Sequence, residues 1–112
     1  MARIDQRTYS RQTREALTLL GKLIRASRKE RNLTAQELAE RAGISRSTLQ
    51  RIEKGHPKVE IGTVFECAAI VGVSLFDSEP GRLSERLAQI QDKLALLPKH
   101  THKRKKAVKD DF

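Results

Sequence analysis

Apolar residues recur at helical spacing over most of the chain and divide it into short helices. Ala16, Leu19, Leu20, Leu23 and Ile24 predict a first helix from Ala16 to about Arg31. Lys22, Arg25, Arg28 and Lys29 fall between these apolar positions, and Asn32 is a left-handed cap. Thr34-Ala35-Gln36-Glu37 has the form of a capping box, with Leu33 and Leu38 as its hydrophobic staple. The second helix turns Leu38, Ala39 and Ala42 inward and stops at Gly43. Ser45 caps a third helix, with Ile44 and Leu49 as a second staple and Gly55 as its end. In that helix Leu49 and Ile52 face the core, while Arg46, Ser47, Gln50 and Arg51 lie on the other side. After the loop His56-Pro57-Lys58-Val59-Glu60, the segment Ile61 to Val71 is apolar on most faces. Val64, Phe65, Ala68, Ile70 and Val71 complete the expected core, and Gly72 stops the helix. Ser74-Leu75-Phe76-Asp77 begins one more short turn, broken by Pro80-Gly81. Leu83, Leu87, Ile90, Leu94 and Leu97, spaced 4, 3, 4 and 3, predict a last helix from about 83 to 97, ended by Pro98.

Length and charge narrow what such a chain does. Its 112 residues carry 23 basic and 14 acidic side chains, a formal net charge of +9, and only four aromatics. One modest aliphatic core is within reach, whereas a large enzyme fold with its own cofactor pocket is excluded. The charge is uneven: +2 over residues 1–15, +4 over 16–72, −1 over 73–98 and +4 over 99–112. This divides the chain into a flexible N-terminal arm (1–14), a helical domain (15–79), a charge-balanced helix (80–98) and a basic tail expected to be disordered (99–112). Apolar runs are too short to span a bilayer, and the first residues lack the apolar stretch of a secretory signal. The lone Cys67 suits a reducing cytosol, and within an apolar helix it reads as a small core residue. The excess of positive charge points to a polyanion, foremost nucleic acid.

The pair of helices over residues 34–53 gives that suggestion a geometry. Two short helices joined by a tight Gly-containing turn form a helix-turn-helix. Ala39 is small where the third helix crosses the second, and Gly43 supplies the positive φ of a turn too tight for a Cβ. Ile44, Leu49 and Ile52 then fix the angle at which the third helix projects toward a major groove. Arg bonds the acceptor edge of guanine bidentately and Gln that of adenine, so Arg46, Ser47, Gln50 and Arg51 are the candidate base readers. Thr34, Gln36 and Ser45, at the helix N-termini, and Lys54, at the end of the third helix, are candidate DNA contacts beside them. An ordinary helical hairpin with a solvated polar face is the alternative.

The stretch LTAQELAERAGISRSTLQRIEKG resembles the Cro/repressor-type helix-turn-helix family, also called the XRE family, and the similarity covers roughly residues 17–77. It implies an all-α, five-helix domain that binds operator DNA as a dimer, here with an additional C-terminal helix and a basic tail. The residue opening the second helix, often Gln in that family, is Ala35 here, with Gln36 following. The segments GHPKVEIGTVFECAAIVGV and LALLPKHTHKRKKAVKDDF further resemble the small antitoxins of HipB type. That resemblance implies a repressor of its own operon that also neutralises a HipA-like serine/threonine kinase toxin.

Leu83, Leu87, Ile90, Leu94 and Leu97 either pack back on their own domain, the commoner fate of such a helix, or, with Lys103, Arg104 and Lys105, form a surface for a second copy or for the kinase. About two heptads are too short for a coiled coil alone, so a dimer interface would be shared with the globular part. Two recognition helices about 34 Å apart match successive major-groove faces. The tail cations could instead bind phosphate or stay solvated, and Arg3, Arg7, Arg11 and Arg14 could reach a minor groove. His100-Thr101-His102 lacks the neighbours of a metal site, so no metal and no cofactor is expected. No nucleophile–base grouping or phosphate-cradling loop stands out, so no enzymatic activity is expected either. Two other readings stay open: a stand-alone phage-type or restriction-control repressor, and a protein-inhibitor module that no longer reads DNA. In each case the protein would work in the cytoplasm, the repressors at the nucleoid.

Overall fold

A computed structural model describes residues 8–76, 79, 81–101 and 103. Five helices and no strand occur among them: α1 (Arg11–Glu30), α2 (Ala35–Ala42), α3 (Arg46–Glu53), α4 (Ile61–Val71) and α5 (Leu83–Leu96). The chain divides into two compact units, residues 1–77 and 78–112. The all-α class is as expected.

Helix ends follow the local chemistry of the sequence. Thr34 Oγ1 accepts from the Glu37 amide at 3.0 Å, and Glu37 Oε1 accepts from the Thr34 amide at 2.8 Å, closing the capping box. Ser45 Oγ accepts from the Thr48 amide at 3.1 Å and opens α3. Asn32 takes φ 58°, the expected left-handed cap after α1. Gly43 has φ 72°, and nothing lies within 4 Å of where its Cβ would stand. The turn therefore needs glycine for its backbone conformation and not, as the tightness of the turn had suggested, for lack of room.

In the first unit α1 packs on α3 and α4, and α2 packs on the same two helices. Ile24, Leu38, Ala39, Leu49, Ile52, Cys67, Ala68 and Val71 form the buried core. The staple residues Leu33 and Ile44 pack against it, as do Val64 and Ile70. Phe65 is half-buried and meets Phe76 edge-on, with ring centroids 6.2 Å apart. Where α1 crosses α3, a Cβ on Gly21 would stand 2.5 Å from the Ile52 carbonyl oxygen. The two backbones can approach this closely only because that position is glycine.

Three expectations are corrected. The first helix begins at Arg11, not Ala16, so residues 11–14 of the expected arm are helical. Ser10 caps it by accepting from the Thr13 amide at 3.2 Å, and Arg11 pairs with Glu15 one turn on. Both are local polar signals that an apolar periodicity does not register. Residues 1–7, including Arg3 and Arg7, lie outside the described residues. Second, the apolar positions of α1 do not all face the core. Ile24 is buried and Leu20 packs against the core, but Ala16, Leu19 (59% exposed) and Leu23 (44%) point outward. Third, Ser74–Phe76 turns without becoming helical, with Phe76 at φ 57°, so the five helices are α1 to α4 and the C-terminal one.

In the second unit α5 has no side-chain cap at its N-terminus and no buried residue. Leu83, Leu87, Ile90, Leu94 and Leu97 are 41–61% exposed. Lys103 is exposed, whereas Arg104 and Lys105 lie outside the described residues.

Candidate nucleic-acid interface

The turn from α2 into α3 anchors one side of α3 and leaves the other in solvent. Leu49 and Ile52 are buried, and half a helical turn away Arg46, Ser47, Gln50 and Arg51 are exposed, with Lys54 following. Among the described residues no hydrogen bond or ion pair holds the side chains of Arg46, Gln50, Arg51 or Lys54. Their donors therefore remain available to an outside acceptor.

Other candidates are already engaged. Thr34 and Ser45 serve as helix caps, and Ser45 Oγ also bonds the hydroxyls of Ser47 at 3.1 Å and Thr48 at 2.9 Å. The Gln36 amide donates to Glu40 Oε2 at 2.9 Å, which ties it to its own helix. The hydrogen bonds from Thr34, backbone first and hydroxyl second, hold the Glu37 carboxyl below its ordinary range.

A buried ion pair braces α3 from behind. Arg28 Nε donates to Glu53 Oε2 at 2.8 Å and Arg28 Nη2 to Glu53 Oε1 at 3.1 Å, while Nη1 donates to the Leu33 carbonyl at 3.0 Å. One guanidinium thus joins α1, the loop before α2 and the end of α3. The bond to Glu53 strengthens its protonated form, against the opposing effect of burial. Both side chains are 10% exposed, so removing one partner strands a charge, at a cost of about 3–5 kcal/mol. The spacing of the first helix places Arg28 among its polar residues and gives no sign of Glu53. The 25-residue separation left no local signal for their pairing.

Beside this pair a cleft is lined by Arg25, Arg28, Ala35, Arg46, Gln50, Glu53 and Lys54. Glu53 is its single carboxylate and is already occupied by Arg28, which leaves the cations of Arg25, Arg46 and Lys54 without internal compensation. Arg25 was not among the expected contacts. Its signal was its place on α1, one helix away from the motif.

No group of three His, Cys, Asp or Glu side chains among the described residues is placed to hold a metal ion. Burial pushes the Cys67 thiol up to about 11, helped by the nearby carboxylates of Glu53 and Glu66, so it stays protonated and unreactive. Among the described residues no helix is long and apolar enough to cross a membrane.

A helix anchored on one face, presented by a capped turn and edged with free cations defines a DNA-binding helix-turn-helix domain. The helix-turn-helix family model matches residues 24–77. An uncharacterized HTH-type transcriptional regulator of Sinorhizobium fredii, y4mF, is 37% identical over 62 residues, which cover 55% of this chain and 82% of the relative. The chain therefore belongs to the helix-turn-helix family of transcriptional regulators. No solved structure matches it significantly.

Proposed function

We propose that the protein is a sequence-specific repressor that inserts α3 into the major groove of an operator. The observation that carries this reading is the free, outward set Arg46, Gln50 and Arg51 on a helix whose other face is locked in the core. Arg46, Ser47, Gln50 and Arg51 read base edges, and Lys54 contacts the adjacent backbone. Thr34, Gln36 and Ser45 lie beside phosphates at the starts of α2 and α3, where orphan amides favour an anion. The work is done in the cytoplasm, at the nucleoid.

A homodimer fits this task, because two copies of α3 read two half-sites. The exposed stripe of α5, apolar at Leu83, Leu87, Ile90, Leu94 and Leu97, supports α5 as part of that seam. The antitoxin reading rests on the resemblance of residues 55–73 and of the C-terminal tail to HipB-type proteins. Under it, α5 and the tail also engage and neutralise a HipA-like kinase. A stand-alone repressor would share the first activity and lack the second.

Gel-shift titration on DNA from upstream of the gene tests the primary reading. The wild-type chain shifts that DNA in preference to scrambled competitor, and Arg46→Ala with Arg51→Ala abolishes the preference. Unchanged specificity in that double variant would remove α3 as the reader. Pull-down with the neighbouring gene product tests the kinase partnership, and its failure leaves the stand-alone repressor.

A further inference from the structure

The exposed cations of α1 form a row that continues the basic cleft beyond the recognition helix. Arg14, Thr18, Lys22 and Arg25 follow one another at intervals of 4, 4 and 3 residues and so share one side of α1. All four are exposed. Two contacts fix which way that side faces. Arg25 lines the cleft together with Arg46, Gln50 and Lys54. Thr18 backs directly onto the end of α3, where a Cβ on Gly55 would stand 2.8 Å from Thr18 Cα. The row therefore lies on the side of the domain that presents α3.

Charge bookkeeping along the row points the same way. Glu15 shares a groove with Arg14, Thr18 and Lys22 and is paired with Arg11, and Glu53, in the cleft with Arg25, is paired with Arg28. Among the described residues no hydrogen bond or ion pair holds the side chains of Arg14, Lys22 or Arg25. Three like charges on one helix side repel one another mildly. From Arg14 to Arg25 the helix rises about 16 Å. A DNA strand presents one phosphate about every 3.4 Å of axis, so a row of this length spans several of them. Arg14 and Lys22 lie upstream of the residues that the family model matches. They stand on the part of α1 that begins at Arg11, behind its cap Ser10.

We propose that Arg14, Lys22 and Arg25 on α1 form a second DNA-contacting element that grips the sugar–phosphate backbone beside the groove occupied by α3. This inference rests on the DNA-binding reading above and adds a contact that carries no sequence information. Its function is to raise affinity for any duplex and to fix the depth at which α3 sits. An acidic protein surface is the competing occupant of the same cations.

The test uses the full chain and a mixed-sequence duplex of about 30 base pairs, with binding followed by fluorescence anisotropy across a potassium chloride series. Each phosphate contact contributes roughly 0.9 to the slope of log affinity against log salt. Arg14→Gln, Lys22→Gln and Arg25→Gln together should lower the slope by about 2.7 if each makes one contact. Between about 50 and 200 mM salt, the wild type then loses roughly 40-fold more affinity than the triple variant. The charge-preserving set Arg14→Lys, Lys22→Arg and Arg25→Lys should keep the wild-type slope, and the melting temperatures of all three proteins should agree. A triple Gln variant with the wild-type slope overturns the proposal and leaves the cations to a protein partner. Failure of the wild type to bind any duplex overturns this proposal together with the DNA reading. Loss of sequence preference in the Arg46 and Arg51 variants, with the α1 slope unaltered, separates the two.

Discussion

The α2–α3 pair and α5 both carry apolar side chains at helical spacing, yet they end in opposite environments. Leu38, Ala39, Leu49 and Ile52 are buried, whereas no residue of α5 is. Both patterns are helical, so helical spacing reports helix and not burial. The two also differ in punctuation. α2 and α3 each begin with a side-chain cap and a hydrophobic staple, which fix the entry of the chain and bind the helix start to its neighbours. α5 begins at Leu83, after Arg82, with no side-chain cap. The missing cap does not by itself decide burial, since α4 has none either and buries Cys67, Ala68 and Val71.

Substitutions that break this contrast should differ in size in a definite order. Arg28→Ala strands the buried Glu53 carboxylate and is expected to lower unfolding free energy by about 3–5 kcal/mol in urea titration. Replacing both Arg28 and Glu53 by apolar residues of similar volume should recover most of that loss. Leu38→Ala opens a cavity in a fully buried site, for an expected loss of about 2–5 kcal/mol by the same measurement. Ser45→Ala removes the cap of α3 and should cost about 0.5–2 kcal/mol.

The capping box adds a pH dependence. The folded Glu37 carboxyl is held below its ordinary value of 4.5, so its contribution is fully present above that value. It is lost as pH falls through the lower, folded value. Melting curves of the wild type and Glu37→Ala should therefore converge in acid and separate near neutrality. At the bottom of the order, Leu87→Ala in α5 should change unfolding free energy by less than about 0.5 kcal/mol in dilute protein. A change of several kcal/mol there would end the contrast between the two stripes.

How much of this was legible beforehand depended on whether the signal was local. The caps at Thr34 and Ser45, the left-handed residues Asn32 and Gly43, and the staples were readable because each involves residues within a few positions. The outward face of α3 followed from them. Three features of the site were hidden because they are made at a distance. Arg28 meets Glu53 only when α1 lies on α3, and Arg25 reaches the recognition helix by the same crossing. Gly21 permits that crossing, yet a lone glycine in a helical pattern looks like a mild defect. On α1 the spacing gives one apolar set and does not separate inward from outward residues. Its outward residues Ala16, Leu19 and Leu23 share the spacing of the inward ones, and only the position of α3 and α4 decides between them.

The central claim is that DNA is met by the exposed face of α3. Amide chemical-shift mapping of the labelled protein with a duplex from upstream of the gene tests it residue by residue. The largest changes are expected at Arg46, Ser47, Gln50, Arg51 and Lys54, with smaller ones along Arg14 to Arg25 of α1. Changes centred on α4 or α5, with α3 unmoved, would contradict it.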